Sequence, residues 1–140
     1  MSVTDQQPTV PAQFQSFLAF DFGLKRTGVA VGTRMLRSAS PQGTIKAEGE
    51  AARFVQVAER IREWQPDALV IGVPYHPDGA PHENTARALK FGRQLRGRFG
   101  LQVFEVDERY STTEAIASGA KDADAASACI ILEQFLRNLP

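Results

Sequence analysis

Asp21, Glu108 and Asp124 are acids set on apolar faces, where a carboxylate is costly and therefore informative. Asp21 ends the run Phe17-Leu-Ala-Phe-Asp21 and, alternating with period two, shares a face with Phe17 and Ala19. Glu108 follows the stretch Gln102–Asp107 and falls with Phe104 and Val106, whereas Asp107 falls with Val103 and Glu105. Asp124 opens the last helix in line with Ala128, Ile131 and Phe135, and Asp122 is turned about 200° away from it. A desolvated carboxylate either finds a partner or takes up a proton. Three gathered together call for cations, and an all-oxygen donor set suits a hard divalent ion. Two such ions roughly 3.5–4 Å apart can activate a water and stabilise charge on a phosphodiester and its leaving oxygen. Magnesium is the first expectation and manganese the second, with Asp21 as the bridging ligand. Taken singly, each acid also has a plainer reading as a strand end or helix cap at the surface, and spacing alone does not prove that the three converge.

Gly23 and Gly28 flank a tight turn at which backbone can approach a phosphate, and Lys25 and Arg26 on that turn are candidate phosphate contacts. Arg109, beside Glu108, is another. Each cation also has an ordinary reading as a solvated surface charge. Arg87, Lys90, Arg93, Arg96 and Arg98 crowd one helix, which either tracks a nucleic-acid backbone or is simply its wet face. Ser111-Thr-Thr-Glu114 fits a capping box, a structural role sufficient to account for Ser111.

These residues need elements to carry them. Phe17–Phe22 and Thr27–Gly32 read as two strands of a hairpin turning through Gly23–Arg26, with a third strand near Gly43–Lys46. Gly49–Trp64 reads as a helix with Phe54, Val57, Ile61 and Trp64 inward and Arg53 on another face, ended by Pro66. Asp67–Val73 is a buried strand, Pro74–Pro81 a loop, and His82–Phe99 a second helix with Ala88, Gly92, Leu95 and Phe99 inward. A fifth strand, Leu101–Asp107, and helices over Ser111–Ser118 and Ala123–Leu139 follow. A meander followed by crossover units predicts an α/β fold with a mixed five-stranded sheet flanked by helices. Residues 1–15 carry no periodicity and read as a disordered leader, leaving 16–140 as a single domain.

The 140 residues suffice for one core. Sixteen basic and sixteen acidic residues cancel, which disfavours a non-specific DNA coater but not an enzyme whose acidic site offsets a basic surface. The one cysteine, Cys129, excludes an internal disulfide and a multi-cysteine zinc site. With no apolar stretch of membrane-spanning length and no signal-like N-terminus, the cytoplasm is the expected compartment.

Asp21-Phe-Gly-Leu-Lys-Arg-Thr-Gly-Val-Ala30 resembles the opening motif of the YqgF family of pre-16S rRNA nucleases, relatives of RuvC-type Holliday junction resolvases. Val70-Ile-Gly-Val-Pro74 with Asp78-Gly79, then Asp107-Glu-Arg-Tyr-Ser-Thr112, then Asp124 with Ala126, Ala128 and Ile130-Ile-Leu132 resemble its later motifs, in order. The resemblance implies an RNase H-like fold, Asp21, Glu108 and Asp124 as metal-binding acids, and a role in maturing the 5′ end of small-subunit rRNA. The partners it implies are precursor rRNA and the small-subunit precursor, met as a monomer or weak homodimer. The chain departs from the family in one place, where Ser118-Gly-Ala-Lys-Asp122 replaces a longer basic segment. Two alternatives stay open at this point, a resolvase acting on branched DNA and a catalytically silent RNA-binding assembly factor.

Overall fold

The apolar run that begins at Phe17 becomes the middle of a sheet. The computed structural model describes residues 9–108 and 122–140. Strand β1 (Ser16–Asp21) pairs antiparallel with β2 (Arg26–Thr33), and β2 pairs antiparallel with β3 (Ala39–Lys46). After helix α1 (Glu50–Trp64), strand β4 (Ala68–Val73) returns to the other side of β1, parallel to it. Helix α2 (Thr85–Phe99) then leads to β5 (Val103–Asp107), parallel to β4, and α3 (Ala123–Arg137) closes the chain. The order is β3-β2-β1-β4-β5, the expected meander joined to parallel strands. Phe17 to Phe20 and all of β4 are buried because these strands are covered on both faces.

Period-two alternation divides the core. Phe17, Ala19, Ala30, Val70 and Phe104 face α3 and pack with Ala128, Ile131, Leu132 and Phe135. Leu18, Phe20, Val29, Leu69 and Ile71 face the opposite way, onto Phe54 and Val57 of α1 and Phe91 and Leu95 of α2. The α3 side is built from smaller residues. Ala19, Ala30, Ala68, Gly28, Gly32 and Gly72 lower that face of the sheet so that a single helix settles closely upon it.

Local chemistry moves several boundaries. β3 begins at Ala39, earlier than expected, since it gains its hydrogen bonds from β2 and tolerates Pro41 as an edge strand. α2 begins at Thr85 rather than near His82. The Thr85 hydroxyl donates to the Pro74 carbonyl and accepts from the His82 amide at 2.7 Å, which holds residues 82–84 outside the helix. Arg53, expected on an outer face of α1, is 5% exposed: its guanidinium donates to the Leu24 carbonyl and lies 5.0 Å from the Phe22 ring centroid. Residues 11–15, read as the end of a structureless leader, are held by Arg34, which donates to the Pro11 and Phe14 carbonyls, and by Asp67, which accepts from the Gln15 amide. The helix expected over 111–118 and its capping box lie outside the described residues. Among the described residues no helix is long and apolar enough to cross a membrane.

Candidate active site

The carboxyl end of β1 is crowded from three sides. Asp21 stands opposite Gly28 in the β1–β2 register, and the β1–β4 register, which pairs Phe20 with Ile71, brings it next beside Gly72. Both neighbours lack a side chain for a reason. A Cβ on Gly28 would overlap the Asp124 carbonyl oxygen, so the first turn of α3 rests directly on that residue. A Cβ on Gly72 would lie 2.5 Å from Oε2 of Glu108 and would strike the Ile131 side chain. The Glu108 amide donates to the Val73 carbonyl at 3.2 Å, which sets that carboxylate over β4. Glycine on either side of Asp21 thus opens the space in which Asp124 and Glu108 approach it.

Crowding is visible in the proton affinities. Burial, and then the nearby Asp124 charge, push the Asp21 carboxyl up to about 7, against the opposing effect of a hydrogen bond from Ser127. Burial, followed by the charges of Asp21 and Asp107, pushes Glu108 up to about 8. Two carboxyls that retain protons near neutrality stand where burial and like charge outweigh what stabilises their ionised forms.

Asp124 is placed differently. Its Oδ2 accepts from Nε of Arg26 at 2.8 Å and lies 2.8 Å from Nη2, so the last acid is clasped by a cation from the β1–β2 turn. Asp122 caps α3: its carboxylate accepts from the Ala125 amide at 3.0 Å and from the Thr44 hydroxyl at 2.7 Å. Gly23 is required by the turn itself, because a Cβ there would overlap the Arg26 carbonyl oxygen. Lys25 is exposed on the same turn, and Arg109 lies outside the described residues.

Among the described residues, no three His, Cys, Asp or Glu side chains form a ready-made metal cage. The donors nevertheless suit a hard cation, being carboxylate oxygens under mutual repulsion. The third of these acids, Asp124, is paired with Arg26. Gly28, expected to let backbone approach a phosphate, also makes room for α3, and Gly72, for which no role was expected, makes room for Glu108 and Ile131. A glycine inside each strand flanking Asp21 was the available signal for both.

The RuvX family profile, described as Holliday junction resolvase, matches residues 15–138. A Polaromonas sp. (strain JS666) protein named "Putative pre-16S rRNA nuclease" is 71% identical over 133 residues, covering 95% of this chain and 96% of its own. A protein of the same name from Albidiferax ferrireducens is 71% identical over 130 residues, covering 93% and 83%. Among solved structures, Thermus thermophilus RuvC in complex with Holliday junction substrate superposes with a TM-score of 0.59 at 16% identity, covering 88% of this chain and 94% of that one. Fowlpox virus resolvase, also solved with Holliday junction DNA, gives 0.58 at 9% identity, covering 87% and 97%. These two likenesses establish the RNase H-like fold. With its profile match spanning nearly the whole chain and relatives of such high identity, the chain belongs to the RuvX (YqgF) family.

Proposed function

We propose that this protein is a metal-dependent nuclease that hydrolyses phosphodiester bonds in precursor 16S rRNA, maturing its 5′ end. The observation that carries the reading is the meeting of Asp21 and Glu108, desolvated and mutually repelling, at a strand end over which Gly28 seats Asp124. Family membership and the names of the similar proteins support the substrate.

In this reading Asp21, Glu108 and Asp124 hold magnesium or manganese. Bound there, one such ion or a pair supplies an activated water and stabilises charge on the phosphate and the leaving oxygen. Asp21, which interacts with both Asp124 and Glu108, would be the ligand that they share. Glu108, whose carboxyl is pushed up by burial and by its acidic neighbours, would ionise to serve as a ligand. Arg26, released from Asp124, turns its guanidinium to a phosphate oxygen, a partner that suits its planar fork. Arg109, the chain neighbour of Glu108, would add positive charge near the same phosphate, and Lys25 extends the positive surface along the β1–β2 turn.

The test is incubation with precursor rRNA, a linear single strand and a four-way DNA junction, each with magnesium, manganese or chelator. Metal-dependent cleavage of precursor rRNA at its 5′ end supports the reading. Preference for the junction would make the protein a resolvase. Binding of RNA without cleavage in either metal would leave it an assembly factor with silent acids.

A further inference from the structure

Across the β1–β2 turn from the acids, on the α1–α2 side of the sheet, lies a cavity of about 560 Å³. That volume falls within the roughly 300–1,000 Å³ typical of small-ligand clefts. Its wall joins residues distant in sequence: Lys25 from the turn, Arg53 from α1, and Arg87 and Lys90 from α2. Four cations therefore face two carboxylates, Glu48 and Glu50. One carboxylate is already matched, since Lys90 Nζ lies 3.5 Å from the Glu50 carboxylate. Arg53 is the fixed part of the wall, buried against the Phe22 ring and anchored on the Leu24 carbonyl. Arg87 is steadied by Asn84, whose Oδ1 accepts from it at 2.9 Å.

The start of α1 adds donors to the same space. Gly49, its N-cap, lies in the cavity wall with Glu50 and has no side chain to cap the helix. The first intrahelical acceptance is by the Gly49 carbonyl, from the Arg53 amide, so the amides before Arg53 are those a helix leaves open at its N-terminus. A concave, cationic cavity with backbone donors at its edge recognises a phosphate group. Its place fits a nucleic-acid strand rather than a free anion, because Lys25 in its wall is the chain neighbour of Arg26, which clasps Asp124. The exposed Leu24 on the rim gives the sugar of that strand an apolar surface.

We propose that this cavity is a phosphate subsite, in which Arg53, Arg87, Lys90 and Lys25 hold the nucleic-acid strand across the β1–β2 turn from the nucleotide at the acid cluster. It rests on the reading that the protein acts on nucleic acid, and it gives the crowded cations of α2 a division of labour: Arg87 and Lys90 bind, whereas Arg93 and Arg98 do not line the cavity.

The test measures binding of a fluorescent 12-nucleotide single-stranded RNA to the full chain by anisotropy, in chelator, over a series of salt concentrations. Arg87 and Lys90 are exposed, so R87Q/K90Q keeps the fold, which circular dichroism checks. That variant should bind about tenfold more weakly, with the salt slope reduced by roughly 0.7 for each phosphate that is no longer neutralised. The control R62Q/R93Q removes the same charge from exposed positions outside the cavity and should bind within twofold of the parent. Inorganic phosphate should also shift the amide resonances of Glu50 and Ala51 in the parent and not in R87Q/K90Q. Equal weakening in both double variants, or unmoved amides, overturns the subsite. If the parent binds in this pattern yet cleaves nothing with metal, the nuclease reading falls and the subsite stands. If the parent cleaves but R87Q/K90Q binds like the control, the subsite alone falls.

Discussion

An aspartate lies against each end of β1, Asp21 on the strand itself and Asp67 just before β4, and the two behave in opposite ways. At the amino end Asp67 accepts from the amides of Gln15 and Ser16 at 2.7 and 3.0 Å. Those bonds hold its carboxyl below the usual range, and it ties the incoming chain to the start of β4. At the carboxyl end Asp21 is half-buried beside two other acids, and its carboxyl is pushed up to about 7. One aspartate is satisfied by backbone donors and stabilises the fold. The other is desolvated beside like charge, so that its ionised form opposes folding. A carboxylate that the fold maintains at a stability cost is a candidate for function, whereas one that the fold satisfies is accounted for by structure.

The largest effect should come from Asp21→Asn, which is expected to lower metal-dependent cleavage by at least about 1,000-fold, about 4 kcal/mol in barrier. Asp67→Asn should leave the rate within about threefold, a change of under 1 kcal/mol. Single-turnover cleavage of precursor rRNA measures both, and equal losses would erase the distinction between the two ends. Next is Gly28→Ala, whose methyl has no room beneath α3. It should destabilise by about 3 kcal/mol in denaturant melts and displace Asp124. Gly97→Ala, with nothing near its Cβ, should be neutral or slightly stabilising, as expected at a helix interior.

The third test uses pH. Asp21 and Glu108 have folded pKa values of about 7 and 8, above their unfolded values near 4. Between these limits the metal-free folded state holds more protons than the unfolded one, so stability should fall as pH rises from about 4 to 8. Asp21→Asn should flatten that fall and raise metal-free stability at pH 8 by about 1–3 kcal/mol. Magnesium or manganese at about 100 times its dissociation constant should add roughly 2.7 kcal/mol to the parent and much less to the variant. Thermal melts in chelator and in metal measure this; a parent indifferent to pH and to both metals would contradict the crowding. Asp67 should act in the opposite direction. Its folded pKa is lowered, so its contribution is present above about pH 4 and lost as pH falls through the folded value.

Asp67→Ala should accordingly cost about 1 kcal/mol at neutral pH, measured as a shift in the denaturation midpoint, with activity retained. The smallest effect is expected for Asp122→Asn. Asparagine caps helices as well as aspartate does, so stability should change by less than about 0.5 kcal/mol and cleavage hardly at all. Asp124→Asn, two residues on, should lose most activity. Parity between the two would place both acids in the site.

Much of this was present in the chain as written. Alternation along β1 and β5 assigned Asp21 and Glu108 to the face of Phe17, Ala19 and Phe104, and helical spacing assigned Asp124 to the stripe of Ala128 and Ile131. Such periods are local properties of the backbone, so a sequence determines them without knowing its fold. The edge strand β3 was harder to see, because its residues are mostly polar and its partner lies in another segment. What only the tertiary structure decided was what each face meets. Arg26 clasps an acid 98 residues away, Arg53 is buried through the carbonyl of Leu24, and Gly28 and Gly72 leave room for neighbours on α3 and after β5. Spacing states which way a side chain points; only the packing of distant segments puts something in front of it.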